Sequence, residues 1–161
     1  MEIMKLNLEC GNLLRSGYVN VNSCSVSLDE NTTEDMPFVL GNFKNLKPIF
    51  PSEKFEEIIF NLPLNIFTPS ELISIVEHWK EFLETNGILK IFFIDARRVA
   101  RATQIESISL QESHDLTYGQ NYEYKSLMDA SIFKNVAKAL KFDIEIMSAK
   151  DFFTAFELKN A

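Results

Sequence analysis

The chain has 161 residues, 46% of them hydrophobic and 24% charged, with a formal net charge of -7. That length can bury a core without disulfide or metal staples, and the composition is that of an ordinary globular domain. The acidic balance argues against a nucleic-acid partner, which needs a basic face.

Two cysteines, Cys10 and Cys24, have no metal-ligand spacing. They read as free thiols of a reducing compartment, with a disulfide between them as the other option. No basic start followed by an apolar core marks a secretory leader. The longest apolar stretch, residues 88–94, is interrupted by Lys90 and is too short to span a bilayer. The expectation is one cytoplasmic domain over residues 1–161, with no membrane span and no metal site.

Residues 3–8 alternate as a strand, and residues 17–22 read as a second strand after a short turn. A parallel crossover normally takes about a dozen residues and a helix. Here the gap leaves room for at most one helical turn. Residues 23–35 are rich in Ser, Thr, Asn and acidic residues and read as a surface loop. Residues 37–40 and 55–60 read as strands three and four, with a proline-containing loop over 45–52.

The strongest local signal follows. Thr68 can cap a helix, Pro69 suits its first position, and Glu71 completes a capping box. Leu72, Ile75, Val76, Trp79 and Phe82 or Leu83 recur at helical spacing. Asn86-Gly87 is expected to end this helix in a left-handed turn. His78 falls opposite the apolar stripe and is expected to face solvent. Residues 88–94 read as a buried central strand, and the strand–helix–strand unit argues for a parallel sheet.

Residues 95–103 look helical, with Asp95 as cap; Arg97, Arg98 and Arg101 there read as a solvated face, with a phosphate patch as the other option. Residues 104–125 show no sustained period and read as a long connection. Residues 129–140 form an amphipathic helix with Ile132, Phe133, Val136, Ala137 and Leu140 on one face. Residues 142–147 and 152–158 read as an antiparallel pair turning at 148–150.

These residues carry a resemblance. Leu6-Asn7-Leu8-Glu9-Cys10-Gly11-Asn12, followed closely by Gly17-Tyr18-Val19-Asn20-Val21-Asn22, resembles the opening of small class I S-adenosylmethionine-dependent methyltransferases. The likeness is closest to predicted methyltransferases linked to surface-polysaccharide biosynthesis, whose short first gap matches this one. Phe55-Glu56-Glu57-Ile58-Ile59-Phe60 resembles the fourth strand of that group, and Gly87-Ile88-Leu89-Lys90-Ile91 its fifth. Tyr118-Gly119-Gln120-Asn121-Tyr122-Glu123-Tyr124 resembles a G-G-Q-D-x-x-Y segment, and Lys141-Phe142 the start of a late strand.

The resemblance implies an α/β, Rossmann-like class I methyltransferase sheet, mostly parallel with an antiparallel C-terminal strand. It implies S-adenosylmethionine as cofactor, held by Asn7, Glu9, Gly11, Asn22, Asn42 and Asn61. It implies a small-molecule or saccharide acceptor, with His114 as candidate base. Tyr118, Gln120 and Tyr124 are candidate substrate contacts, or else they pack their loop onto the sheet. The chain departs from the group on the cofactor side. Glu9 stands for the first glycine, Asn22 and Asn42 for acidic residues, and Asn65-Ile66 for a Glu-His pair. The competing expectation is a methyltransferase-like module that no longer binds cofactor and serves a protein partner.

Overall fold

Alternating side chains set the first strand, β1 (Lys5–Leu8), in which Leu6 and Leu8 point into the core and Asn7 points the other way. The computed structural model describes residues 4–24, 36–120 and 123–161. Beyond β1 it contains β2 (Val19–Asn22), β3 (Phe38–Leu40), β4 (Phe55–Phe60), β5 (Leu83–Ile94), β6 (Phe142–Lys150) and β7 (Phe153–Asn160). Its helices are α1 (Pro69–Glu81), α2 (Ala96–Gln104), α3 (Leu110–Tyr118) and α4 (Ala130–Ala139). No helix among the described residues is long and apolar enough to cross a membrane.

The seven strands make one sheet in the order β3-β2-β1-β4-β5-β7-β6. β1 to β5 pair in parallel, and β7 runs antiparallel between β5 and β6. This is the α/β sheet expected from the sequence. β1 and β2 are parallel although residues 9–18 between them form only turns.

One face of the sheet is dry. Leu6, Leu8, Ile58, Phe60, Leu89, Ile91, Phe93, Phe156 and Leu158 are at most 2% exposed there. α1 covers one end of it, with the Trp79 ring 4.7 Å from Phe60 and the indole N–H donating to the Phe43 carbonyl. α4 covers the other end, with Phe133 5.0 Å from Phe156. Trp79 has no exposed surface, so its truncation to Ala costs about 3–5 kcal/mol.

The other face is built differently. Parallel sheets are ordinarily covered on both sides, yet Lys90 and Glu157 each keep 35% of their side-chain surface in water. Lys5 stands opposite Glu57, Lys90 opposite Glu157 and Lys159 opposite Asp143 on neighbouring strands. Such unlike pairs stabilise a wet sheet face by about 0.2–1 kcal/mol each. Lys90 also reaches Glu57 at 2.9 Å, and the Tyr18 hydroxyl donates to the same carboxylate.

Several sequence expectations are corrected. α1 ends at Glu81, and Asn86-Gly87 is not its cap. Phe82 stays right-handed, and its carbonyl accepts from the Phe55 N–H at 2.7 Å, so pairing with β4 captures the chain five residues early. Leu83 then pairs with Phe55, the chain leaves the ladder, and Ile88 rejoins it opposite Glu57. Asn86, at φ 65°, makes that excursion. Gly87 follows because a Cβ there would lie 3.0 Å from the carbonyl oxygens of Glu84 and Phe55.

The connection 104–125 contains α3, whose Ser109 and Glu112 form a capping box. None of its residues is buried, so it has no apolar stripe for a periodicity search to find. The last hairpin turns at Asp151-Phe152 rather than at 148–150, since Lys150 still pairs with Phe153. Asp151 takes φ 50°, a left-handed conformation that Asp tolerates in tight hairpins. Most of the expected loop 23–35 falls on residues 25–35, outside the described residues.

His78 is not the exposed residue expected. Its Nε2 accepts the Leu46 N–H at 3.1 Å and its ring lies 5.1 Å from Phe82. Burial lowers its pKa, which suits an imidazole that accepts at Nε2. Two of the three arginines of α2 act as braces: Arg97 pairs with Asp129 at 2.9 Å and Arg98 donates to the Asp151 carbonyl at 2.6 Å.

Candidate functional site

The strand order reverses between β1 and β4, since β2 and β3 lie on one side of β1 and β5 lies beyond β4. Chains leaving β1 and β4 therefore diverge at their carboxyl ends. A crevice at such a switch point is where open α/β sheets bind ligands.

The turn after β1 forms one wall. Glu9 takes φ 50° and Gly11 φ 51°, both left-handed. A non-glycine residue pays roughly 1–2 kcal/mol for that conformation, so Glu9 keeps a glycine's backbone at a cost. Nothing lies within 4 Å of where a Gly11 Cβ would stand, so the backbone there is open to a neighbour. Glu9 Oε1 accepts the Ser23 N–H at 3.0 Å, tying this turn to the one after β2. Asn22 Oδ1 accepts the Gly11 N–H at 3.3 Å, and Asn22 Nδ2 donates to the Cys24 carbonyl at 2.8 Å. Burial raises the Cys10 thiol pKa, and the Glu9 carboxylate adds to the rise.

Below the turn lies a row of buried amides. Asn7 Nδ2 donates to Asn20 Oδ1 at 2.7 Å and to the Leu13 carbonyl at 2.9 Å. Asn7 Oδ1 accepts from Asn61 Nδ2 at 2.6 Å, and Asn61 also reaches the Leu8 carbonyl at 2.8 Å. Asn20 Oδ1 accepts the Arg15 N–H, and its Nδ2 reaches the carbonyls of Arg15, Tyr18 and Pro37. These bonds hold the helix-free crossover in place and satisfy backbone groups that a helix would otherwise satisfy. Asn20 was missed in the sequence. Its signal was a polar side chain alternating with Val19 and Val21.

The structure thus gathers Asn7, Glu9, Gly11, Asn22 and Asn61 at the switch point. Asn42 stands apart on the loop after β3, exposed, where its Oδ1 accepts the Lys44 N–H at 2.9 Å.

The other candidates gather around α3. His114 Nδ1 lies 3.6 Å from Asp115 Oδ1, and its ring is 5.1 Å from Tyr118. Gln120 and Tyr124 line a cavity of about 500 Å³ with Ile94, Asp115, Phe152 and Phe153. Burial raises the Tyr124 pKa, and Glu123 adds to it. The Tyr118 carbonyl accepts the Tyr124 N–H at 3.1 Å, closing this segment on itself. Asn121 and Tyr122 lie outside the described residues.

Asn65 stands beside this second group. Its amide accepts the Ile94 N–H at 2.7 Å and donates to the Ile94 carbonyl at 3.1 Å, so it pairs with the end of β5 as a strand would. Its backbone carbonyl accepts from Lys125 and Ser126.

No family model and no curated protein matches the sequence. Solved structures do match. The plantazolicin methyltransferase BamL, in complex with a triazolic desmethylPZN analog and SAH, aligns with a TM-score of 0.66 at 12% identity. That alignment covers 98% of this chain and 77% of that one. The sheet therefore has the methyltransferase fold. Magnesium protoporphyrin IX methyltransferase from Synechocystis PCC 6803, with bound SAH, aligns at TM-score 0.64 and 11% identity over 99% of this chain and 74% of that one. An O-methyltransferase family protein from Burkholderia thailandensis aligns at TM-score 0.63 and 13% identity. This chain covers only 51% of the length of that protein, although 99% of its own residues align. In this chain no helix stands between β1 and β2, and the asparagine row bridges that crossover.

Proposed function

We propose that this chain is a single-domain methyltransferase-like protein that binds S-adenosylmethionine or a related nucleoside at the crevice between β1 and β4. The observation that carries the reading is the turn at residues 9–11. It keeps two left-handed residues and an open approach to Gly11 at the switch point of a methyltransferase fold. The backbone fits a nucleoside approaching closely, and the neighbouring amides suit its hydroxyls. In this reading Asn22 faces the ribose, Asn42 the base, and Asn7 and Asn61 brace the crevice floor. When bound, S-adenosylmethionine supplies an electrophilic methyl group. The chain's part is to orient an acceptor against it, since methyl transfer depends mainly on proximity.

The acceptor is a small molecule or saccharide, seated against Tyr118, Gln120 and Tyr124, and His114 takes the acceptor's proton where one must leave. The setting is cytoplasmic, and the pathway one of surface polysaccharide.

A second reading is supported by two hydrogen bonds. Glu9 Oε1 is spent on the Ser23 N–H and Asn22 Oδ1 on the Gly11 N–H, groups otherwise free for a ligand. A module whose motif has degenerated in this way binds a protein partner and transfers nothing.

Calorimetric titration with S-adenosylmethionine separates the two. Saturable heat at micromolar ligand supports the first reading. Silence at millimolar ligand removes it and leaves the second.

A further inference from the structure

We infer that β6 is an interface for a second copy of this chain: two copies pair antiparallel through their β6 edges, about a two-fold axis at Met147, and join their sheets into one. The inference stands apart from the nucleoside-site reading and survives its failure.

The two edges of the sheet differ. β3, at one edge, has three residues. β6, at the other, has nine, and among the described residues no strand pairs with its outer side. A row of unpaired N–H and C=O groups is a template for another strand unless proline or a covering element blocks it. β6 contains no proline, and every residue from 143 to 150 is exposed. Ile144, Ile146 and Met147 keep 38%, 50% and 46% of their surface in water.

The register names the occupant. Residues opposite one another in an antiparallel pair share a face of the sheet. Ile144, Met147 and Ala149 stand opposite Leu158, Phe156 and Thr154, on the dry face. Asp143, Ile146, Ser148 and Lys150 stand opposite Lys159, Glu157, Ala155 and Phe153, on the wet face. Glu145 is the extra residue of a bulge between Ile144 and Ile146. A slip of one residue would set dry-face side chains against wet-face ones, so the pattern is demanding of a new strand. A second β6 meets it. With Met147 against the partner's Met147, and Glu145 passed over in each copy, every pair shares a face. Ile146 meets the partner's Ser148, Ile144 meets the partner's Ala149, and Asp143 meets the partner's Lys150. The two-fold axis repeats each of these pairs. The dry-face pairs are all apolar. On the wet face Lys150 has only Phe153 opposite it in its own sheet, and pairing gives it a carboxylate. Asp143 then lies between Lys159 of its own chain and the partner's Lys150. An unrelated strand would need its own bulge at the matching place, which a second copy has by identity.

The test is sedimentation equilibrium of the whole chain, as wild type and as three variants at exposed positions. The wild type is expected to reach twice the chain mass of 18.5 kDa as its concentration rises to millimolar. Lys150→Glu and Asp143→Lys each set like charges against one another twice per dimer, and Met147→Lys sets two ammonium groups together at the axis. Each should weaken the dimer by roughly tenfold or more. Mixing the Lys150→Glu chain with the Asp143→Lys chain should restore the dimer, because unlike charges then meet at both ends. Circular dichroism checks that each variant is folded; if a charge variant is not, Met147→Lys decides, and its loss of the dimer supports the inference. A wild type that stays monomeric at millimolar concentration overturns it. A dimer unweakened in the folded variants overturns it too, because the contact then lies elsewhere. A mixture that stays monomeric while the wild type dimerises contradicts the pairing of Asp143 with the partner's Lys150, and the register falls with it.

Discussion

The side-chain amide of Asn65 exchanges two hydrogen bonds with the backbone of Ile94, accepting its N–H at 2.7 Å and donating to its carbonyl at 3.1 Å. A side chain here does the work of an adjacent strand. Asn65 is 2% exposed, so neither Ile94 group has water as a substitute partner. Asn65→Leu leaves a buried donor and acceptor unpaired. We expect it to destabilise the fold by about 2–4 kcal/mol, since each orphaned group costs about 1–3 kcal/mol. A denaturant midpoint unchanged from wild type would contradict this.

Tyr18 and Glu57 should give the chain a two-sided pH signature. Burial raises the Tyr18 pKa to about 12, and its hydrogen bond to Glu57 adds to the rise. A raised folded-state pKa stabilises below the unfolded value, near 10, and that contribution fades as pH climbs towards about 12. For Glu57 burial acts upward, but Tyr18, Lys90 and Lys5 outweigh it and lower the pKa below 4.5. Its contribution is complete above 4.5 and is lost as pH falls through the lowered folded value. The melting temperature should therefore fall at both extremes, and Tyr18→Phe should remove most of the alkaline fall. A Tyr18→Phe curve that tracks wild type above pH 10 would oppose this account.

α3 should be the first helix to open. It buries no residue, and it depends on the Ser109–Glu112 capping box and on the 2.8 Å bond between Thr103 and Ser113 hydroxyls. Loss of a cap costs about 1 kcal/mol. Hydrogen exchange of Ser109→Ala should speed by about fivefold across 110–118 and leave α1 and α4 unchanged. Uniform loss of protection across all helices would show that α3 belongs to the cooperative core.

His78 tests the packing beneath α1. Its neutral Nε2 accepts the Leu46 N–H, and burial disfavours the imidazolium. A lowered folded pKa means the unfolded chain binds more protons near that pH, so stability declines as pH falls through 6.5. His78→Gln should flatten this decline between pH 7 and 5. An unchanged slope would place the titration elsewhere.

Much of this fold was legible in the chain. The capping box at Thr68 and the apolar stripe placed the start and the buried face of α1, while its carboxyl end fell at Glu81 rather than at the expected Asn86-Gly87. The short first crossover was legible as an oddity, and the buried Asn7–Asn20 bond supplies its physical reason. What escaped depended on long-range pairing. Asn86-Gly87 looks the same whether it ends a helix or bends a strand, and only the pull of Phe55 on Phe82 decides. α3 escaped because an exposed helix leaves no hydrophobic period, although its capping box at Ser109 was written in the sequence. His78 escaped because a residue off the apolar stripe can still be covered by a loop, here the one carrying Leu46. The candidate residues Asn7, Glu9, Gly11, Asn22 and Asn61 were named from the sequence. That Glu9 and Asn22 hold their own turns could be seen only in three dimensions.

The central claim is a nucleoside site at the switch point between β1 and β4. Its most direct test is a backbone amide NMR titration of the 15N-labelled chain with 5′-methylthioadenosine. The account predicts saturable shifts centred on Gly11, Asn22 and Asn61, with α4 unmoved. Shifts confined to the far end of the sheet, or none at millimolar ligand, would contradict it.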